Sequence, residues 1–148
     1  MRVLPADRRL RLILHCDGAA RGNPGPAGIG ILVADEDGGT LAEIAEGIGV
    51  ATNNVAEYTA AIRGLERARE LGATEVHLRS DSKLLIEQLS GRWKIKNRNL
   101  IRLHREVREL IVAFEHVTYE HVPRERNTEA DRLANEGVDA WLANGGRP

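Results

Sequence analysis

Residues 10–35, LRLILHCDGAARGNPGPAGIGILVAD, decide how this chain folds. Leu10, Leu12, Leu14 and Cys16 alternate with Arg11, Ile13, His15 and Asp17, the two-residue period of a β-strand. A loop thick with Gly and Pro follows, then a second apolar run, GIGILVAD. Strand, loop, strand is the pattern of a hairpin. A nucleotide-binding glycine loop would need G-x-G-x-x-G opening a helix. That spacing is absent, Pro24 and Pro26 interrupt the loop, and a strand follows. DEDGG at 35–39 makes the next turn, and LAEIAEGIGV at 41–50 completes an antiparallel three-stranded meander.

Downstream the period changes. Thr52 or Asn53 caps a helix whose apolar stripe is Val55, Tyr58, Ile62, Leu65 and Ala68, and Gly72 ends it. TEVHLRSDS (74–82) reads as a strand, and a short helix runs from Ser82 to near Gly91. From about Asn99, the spacing of Leu100, Leu103, Val107, Leu110, Ile111 and Phe114 predicts another amphipathic helix. HVTYEHV (116–122) is the last strand. Asn127 or Thr128 caps a final helix with Ala130, Leu133, Ala134, Val138 and Trp141 facing inward, and the tail NGGRP is expected to fray. The order β-β-β-α-β-α-α-β-α predicts an α/β fold, a mixed sheet with helices on its faces. With 148 residues, no internal repeat and no low-complexity linker, a single domain spanning 1–148 is expected, its core at about 10–143 and its ends flexible.

Composition narrows the function classes. The one cysteine, Cys16, excludes an intrachain disulfide, fits a reducing compartment and reads as a buried structural thiol. No apolar stretch approaches the roughly 20 residues that cross a bilayer. MRVLPADRRLR at the N-terminus, broken by Pro5 and several charges, has no signal-peptide core, so a cytoplasmic location is expected. Net charge is −1, yet residues 91–108, GRWKIKNRNLIRLHREVR, hold seven Arg or Lys against the single acid Glu106. A polyanion-binding surface leaves such a footprint, and so does a solvated helix face.

Four carboxylates stand out against this frame. Asp17 and Asp81 end apolar strand-like runs, whereas Glu57 and Asp131 open amphipathic helices, in their first turns. They lie 40, 24 and 50 residues apart, so only tertiary structure can gather them. Gathered carboxylates repel one another unless divalent cations neutralise them, and hard oxygen ligands suit Mg²⁺ or Mn²⁺. Each acid alone also fits a surface carboxylate or a helix-start charge favoured by the dipole.

DGAARGNPGPAGIG, TNNVAEYTA, SDSKLLIEQLSG and RNTEADRLAN, in that order, resemble the motifs of the ribonuclease H type 1 family, over about residues 10–143. The resemblance implies a ribonuclease H-like fold: a five-stranded mixed sheet in the order 3-2-1-4-5, its first three strands antiparallel, flanked by about four helices. It also implies an endonuclease that hydrolyses the RNA strand of RNA/DNA hybrids with two Mg²⁺ or Mn²⁺ ions, leaving 5′-phosphate and 3′-hydroxyl ends. By the same resemblance Asp17 bridges the two metals, Asp131 completes the nucleophile side, and Glu57 and Asp81 complete the leaving-group side. Asn23, Thr52, Asn53 and Asn54 match positions that contact the hybrid, with Thr52 helping to hold a DNA-strand phosphate. Trp93 sits among Arg92, Lys94, Lys96 and Arg98, which suits stacking plus phosphate contact; a core tryptophan is the alternative. A monomer acting on a nucleic-acid hybrid, without a membrane, is the expectation.

Three departures stand beside the resemblance. Only WKIKNRN separates the second and third helices, so the basic handle helix of many bacterial members is absent. The loop before Asp131 carries no histidine aligned with the mobile histidine of those members; Arg124 or Arg126 would stabilise phosphate charge instead, and His121 reads as structural. Lys83 stands where the family often has Gln. A catalytically silent hybrid-binding module, or another nuclease on the same fold, remains the competing reading.

Overall fold

The computed structural model describes residues 9–146. The tail residues 147–148, and the first eight residues of the expected domain, lie outside the described residues. Five strands, β1 (Arg11–Ala20), β2 (Gly25–Ala34), β3 (Thr40–Ala51), β4 (Glu75–Ser80) and β5 (His116–His121), form one sheet in the order β3-β2-β1-β4-β5. β1 to β3 pair antiparallel, while β1–β4 and β4–β5 pair parallel. This is the expected topology. The helices are α1 (Asn53–Glu70), α2 (Lys83–Leu89), α3 (Arg98–Ile111) and α4 (Thr128–Ala143).

The period-two alternation of β1 splits the molecule into two layers. Leu12, Leu14 and Cys16 share a face with Ile29, Ile31 and Val33 of β2 and with Val76 and Leu78 of β4. All are buried in the main core, beneath Tyr58, Ala61, Leu65 and Ala68 of α1. α3 covers α1 through Leu100, Leu103 and Val107. Aromatic side chains are scarce, so aliphatic burial at about 1.5–3 kcal/mol per fully buried side chain carries this core.

On the opposite face α4 packs over β2, and a glycine sets how closely it does so. A Cβ on Gly30 would lie 2.1 Å from the Ala130 carbonyl oxygen. Gly30 is the register partner of Asp17, so the same close approach brings the first turn of α4 to Asp17.

Several boundaries differ from the sequence expectation. α3 ends at Ile111, and Phe114, expected on its stripe, is buried from the following turn. Glu57 is the fifth residue of α1, beyond the first turn, so the helix dipole gives it little. Trp141 is half-buried, against Gly47 of β3, and stays outside the core cluster. Asn127 precedes α4, yet its side chain caps nothing.

Candidate active site

β1 passes between the two helical layers, and at its C-terminal half the four predicted acids meet from four elements. Asp17 belongs to β1, and Glu57 reaches in from α1. Asp81 directly follows β4 and precedes the α2 cap Ser82, and Asp131 sits in the first turn of α4. The approach of α1 depends on Gly18. Its amide donates to Glu57 Oε1, and a Cβ there would lie 2.3 Å from the Ala56 carbonyl carbon. Any side chain at that position would displace α1 and Glu57 with it.

One carboxylate oxygen each from Asp17, Glu57 and Asp81 lie within 4.8 Å of one another. Asp17 and Glu57 are buried, only 5% and 4% exposed. Two like charges about 4 Å apart repel by about 4 kcal/mol at an effective dielectric of about 20. That is comparable with the roughly 5–15 kcal/mol that holds a domain together. The titration follows. Burial, then the charges of Glu57, Asp81 and Asp131, pushes Asp17 far above the usual carboxylate range. Burial also raises Glu57 and Asp81, while the Gly18 amide restrains the rise of Glu57 and the Arg124 charge restrains that of Asp81. Without a cation to balance them, burial and mutual repulsion favour protonation within the cluster, most of all at Asp17. Among the described residues, no Lys or Arg forms an ion pair with any of the four acids. Hard oxygen donors, close together and without a counter-ion, fit divalent cations such as Mg²⁺ or Mn²⁺.

Asp131 stands beside this triad, and its charge is among those that push Asp17 up. Asn135, one turn on, donates to the Asp131 carbonyl at 3.0 Å and to its carboxylate at 3.4 Å. Arg21 in turn donates to Asn135 Oδ1 at 3.3 Å and pairs with Asp139 at 2.8 Å, clamping the β1–β2 loop to α4. Asn127 Nδ2 donates to the Cys16 carbonyl at 2.9 Å and lies against Asp81, helping to keep that carboxylate ionised. Its Oδ1 is buried without a hydrogen-bond partner. Arg21, Asn127 and Asn135 were not singled out as site residues from the sequence. Arg21 and Asn127 act on partners far away in sequence, such as Asn135 and the Cys16 carbonyl, whereas Asn135 lies one helical turn from Asp131, a spacing any helix offers.

The other predicted contact residues divide into groups. Thr52 caps α1 through the Val55 amide at 3.2 Å, and Asn23 Oδ1 accepts from the Asn53 amide at 3.0 Å, so the Gly/Pro loop is tied to the start of α1. Asn53 and Asn54 are exposed there. Trp93, 44% exposed, is no core residue; the Lys83 ammonium lies 5.8 Å from its ring centroid, a cation–π pair. Lys94 and Lys96 are exposed beside it. Their segment is held from below: Gln88 Nε2 donates to the Lys94 carbonyl at 3.2 Å while Gln88 Oε1 accepts from the buried Tyr58 hydroxyl at 2.7 Å.

Arg124 lies close enough to the acids to steady Glu57 and Asp81, whereas Arg126 lines a separate cleft of about 110 Å³ with His15 and Thr128. His121 Nε2 lies 3.3 Å from the Asp81 carbonyl oxygen, exposed at the end of β5. Cys16 is buried and its thiol is pushed up by burial, an inert core group.

Comparison with known proteins agrees with this geometry. A reverse transcriptase-like family model matches residues 15–137. The bifunctional protein Rv2228c of Mycobacterium tuberculosis is 52% identical over 132 residues, which is 88% of this chain and 36% of that protein; the chain thus spans about a third of that relative's length. Ribonuclease HI of Halobacterium salinarum is 45% identical over 137 residues, 93% of this chain and 69% of that enzyme. Among solved structures, LC11 ribonuclease H1, isolated from compost and crystallised with an RNA/DNA hybrid, is 42% identical with a TM-score of 0.85, covering 88% of this chain and 99% of that one. Sheet order, clustered acids and these relatives agree: the chain belongs to the ribonuclease HI family.

Proposed function

We propose that this chain is a single-domain endonuclease that hydrolyses the RNA strand of RNA/DNA hybrids, using two Mg²⁺ or Mn²⁺ ions and leaving 5′-phosphate and 3′-hydroxyl ends. The observation that carries this reading is the convergence of Asp17, Glu57 and Asp81 within 4.8 Å, with Asp131 beside Asp17. Relatives named as ribonucleases H, and a neighbour of 0.85 TM-score bound to a hybrid, support the substrate.

Asp17 is buried on the central strand and feels the charges of Glu57, Asp81 and Asp131 together, so it would be shared between two cations held there. Asp131 would complete the site on the side of the attacking water, and Glu57 and Asp81 the site on the side of the leaving oxygen. Divalent cations bound by these acids would supply an activated water and charge stabilisation for the leaving 3′ oxygen. Glu57 is held in place by the Gly18 amide and Asp131 by Asn135, so the acids need little reorganisation on binding. Asn23, Thr52, Asn53 and Asn54 form a polar ledge at the start of α1 that reaches the minor groove and a DNA phosphate. Contacts to RNA 2′-hydroxyls would distinguish the two strands. Trp93, backed by Lys83, stacks on a sugar or base while Lys94 and Lys96 meet phosphates. Arg124, close to the acids, adds charge at the scissile phosphate; Arg126, in its own cleft, contributes at most to a flanking one. The four acids all come from one chain, so a monomer can complete the site, and no helix among the described residues is long and apolar enough to cross a membrane.

The test is a labelled hybrid beside single-stranded and double-stranded RNA, with Mg²⁺, with EDTA, and with Asp17→Asn. Cleavage confined to the RNA of the hybrid, abolished by EDTA and lowered at least about 1,000-fold in the variant, is expected. Hybrid binding without cleavage would instead make the chain a silent binding module.

A further inference from the structure

Residues 94–105, KIKNRNLIRLHR, hold five Lys or Arg and no acid. Three of these cations, Arg98, Arg102 and Arg105, lie on α3 at the spacing i, i+4, i+7. At 3.6 residues per turn they fall within an arc of about 60°, a stripe rising about 10 Å along the helix. The buried residues Leu100, Leu103 and Val107 occupy the other side of α3, and all three arginines are exposed.

Arginines on the helices packed against the sheet are paired more often than these three. Arg63 and Arg67 on α1 pair with Glu66 and Glu70, and Arg132 on α4 pairs with Glu129 and Glu136. On α3, Glu106 and Glu109 stand four residues after Arg102 and Arg105, yet no described ion pair or side-chain hydrogen bond involves Arg98, Arg102 or Arg105. Arg98 also opens the helix, where a positive charge opposes the dipole and no acid balances it. Helix stability alone would favour the opposite sign there. An uncompensated cationic stripe calls for an external anion of matching length.

We propose that Arg98, Arg102 and Arg105 form a phosphate-binding stripe outside the catalytic groove, which takes the backbone of a long nucleic-acid duplex engaged by Lys94 and Lys96. The inference rests on the hybrid-binding reading above and adds a second contact to it. The duplex is favoured over an acidic protein segment because the stripe follows those lysines directly in the chain, and because each strand of a duplex carries one charge per roughly 3.4 Å of axis. A stripe of this length therefore meets several phosphates.

The experiment compares wild type with the triple variant Arg98→Ala/Arg102→Ala/Arg105→Ala, both carrying Asp17→Asn to block cleavage. Binding to hybrids of about 8 and about 25 base pairs is followed by anisotropy from about 50 to 200 mM salt, with circular dichroism as the check on folding. For the long hybrid, the triple variant should lose about 2–3 from the slope of log affinity against log salt and bind about 10- to 100-fold more weakly. For the double variant Arg102→Ala/Arg105→Ala, binding of the short hybrid should change less than about 2-fold, and so should its cleavage when Asp17 is kept. Equal slope and affinity for wild type and triple variant on the long hybrid would overturn the proposal and leave an acidic protein surface as the stripe's occupant. If wild type binds the long hybrid through the stripe yet never cleaves it, the nuclease reading fails while this one stands.

Discussion

Asp17, Glu57 and Asp81 are fixed by backbone packing, whereas Lys94, Lys96 and Arg98 are exposed and form no ion pair among the described residues. The acids sit on buried elements and hold their positions against mutual repulsion. The cations sit on a surface segment held through its backbone by Gln88, with their charged heads in solvent. Metal ligation and in-line chemistry demand placement within a fraction of an ångström, so rigidity is bought there with stability. Phosphate binding by charge falls off gently with distance, so flexible side chains suffice. On the proposed function, the molecule would thus separate precision from affinity along one chain.

The most severe way to break this contrast is to move a backbone under an acid. Gly18→Ala would drive a methyl into the Ala56 carbonyl carbon, at 2.3 Å before relaxation. It should cost about 2–3 kcal/mol of stability and displace Glu57, lowering hybrid cleavage at least about 100-fold. Chemical denaturation and single-turnover cleavage measure both. Wild-type values for the pair would show that α1 is free to adjust.

A smaller effect tests the strain in the acid cluster. Asp17, Glu57 and Asp81 have folded pKa values above their unfolded ones. Above the ordinary carboxylate range, the native state therefore retains protons that the unfolded state has lost. Stability must fall as pH rises through that window, whereas below it both states are protonated and nothing is lost. In EDTA, the melting temperature should decline between about pH 5 and 8; Mg²⁺ should recover part of it, and Asp17→Asn should flatten the slope. A profile that is level or climbs in EDTA would refute the account.

The mildest change belongs to the cations. Lys94→Ala and Lys96→Ala should each reduce the salt slope of hybrid binding by about 1 and raise KM several-fold, with kcat unchanged. A fall in kcat with KM intact would put these lysines at the chemistry and erase the distinction drawn here.

Much of this was legible before any coordinates. The alternation around Asp17 marked β1, the Gly/Pro loop marked the hairpin, and the apolar stripe through Tyr58 and Leu65 marked α1. These signals are local, arising from side-chain periodicity and turn chemistry within a few residues. The four acids were visible because each sits beside a recognisable strand or helix boundary. Arg21 and Asn127 were not, because a side chain that bonds a distant carbonyl or amide leaves no period behind; Asn135 was not, because its one-turn spacing from Asp131 is common to every helix.

Sequence alone therefore determined the elements, their order and the residues able to carry charge chemistry. Tertiary structure decided which of those residues meet: Arg124 near the acids and Arg126 in its own cleft, Trp93 exposed over Lys83, Trp141 at the rim of the core. The reason is geometric. Periodicity records which face a residue shares with its neighbours in sequence, while the distance between two faces depends on where bare glycines such as Gly18 and Gly30 let helices close onto the sheet.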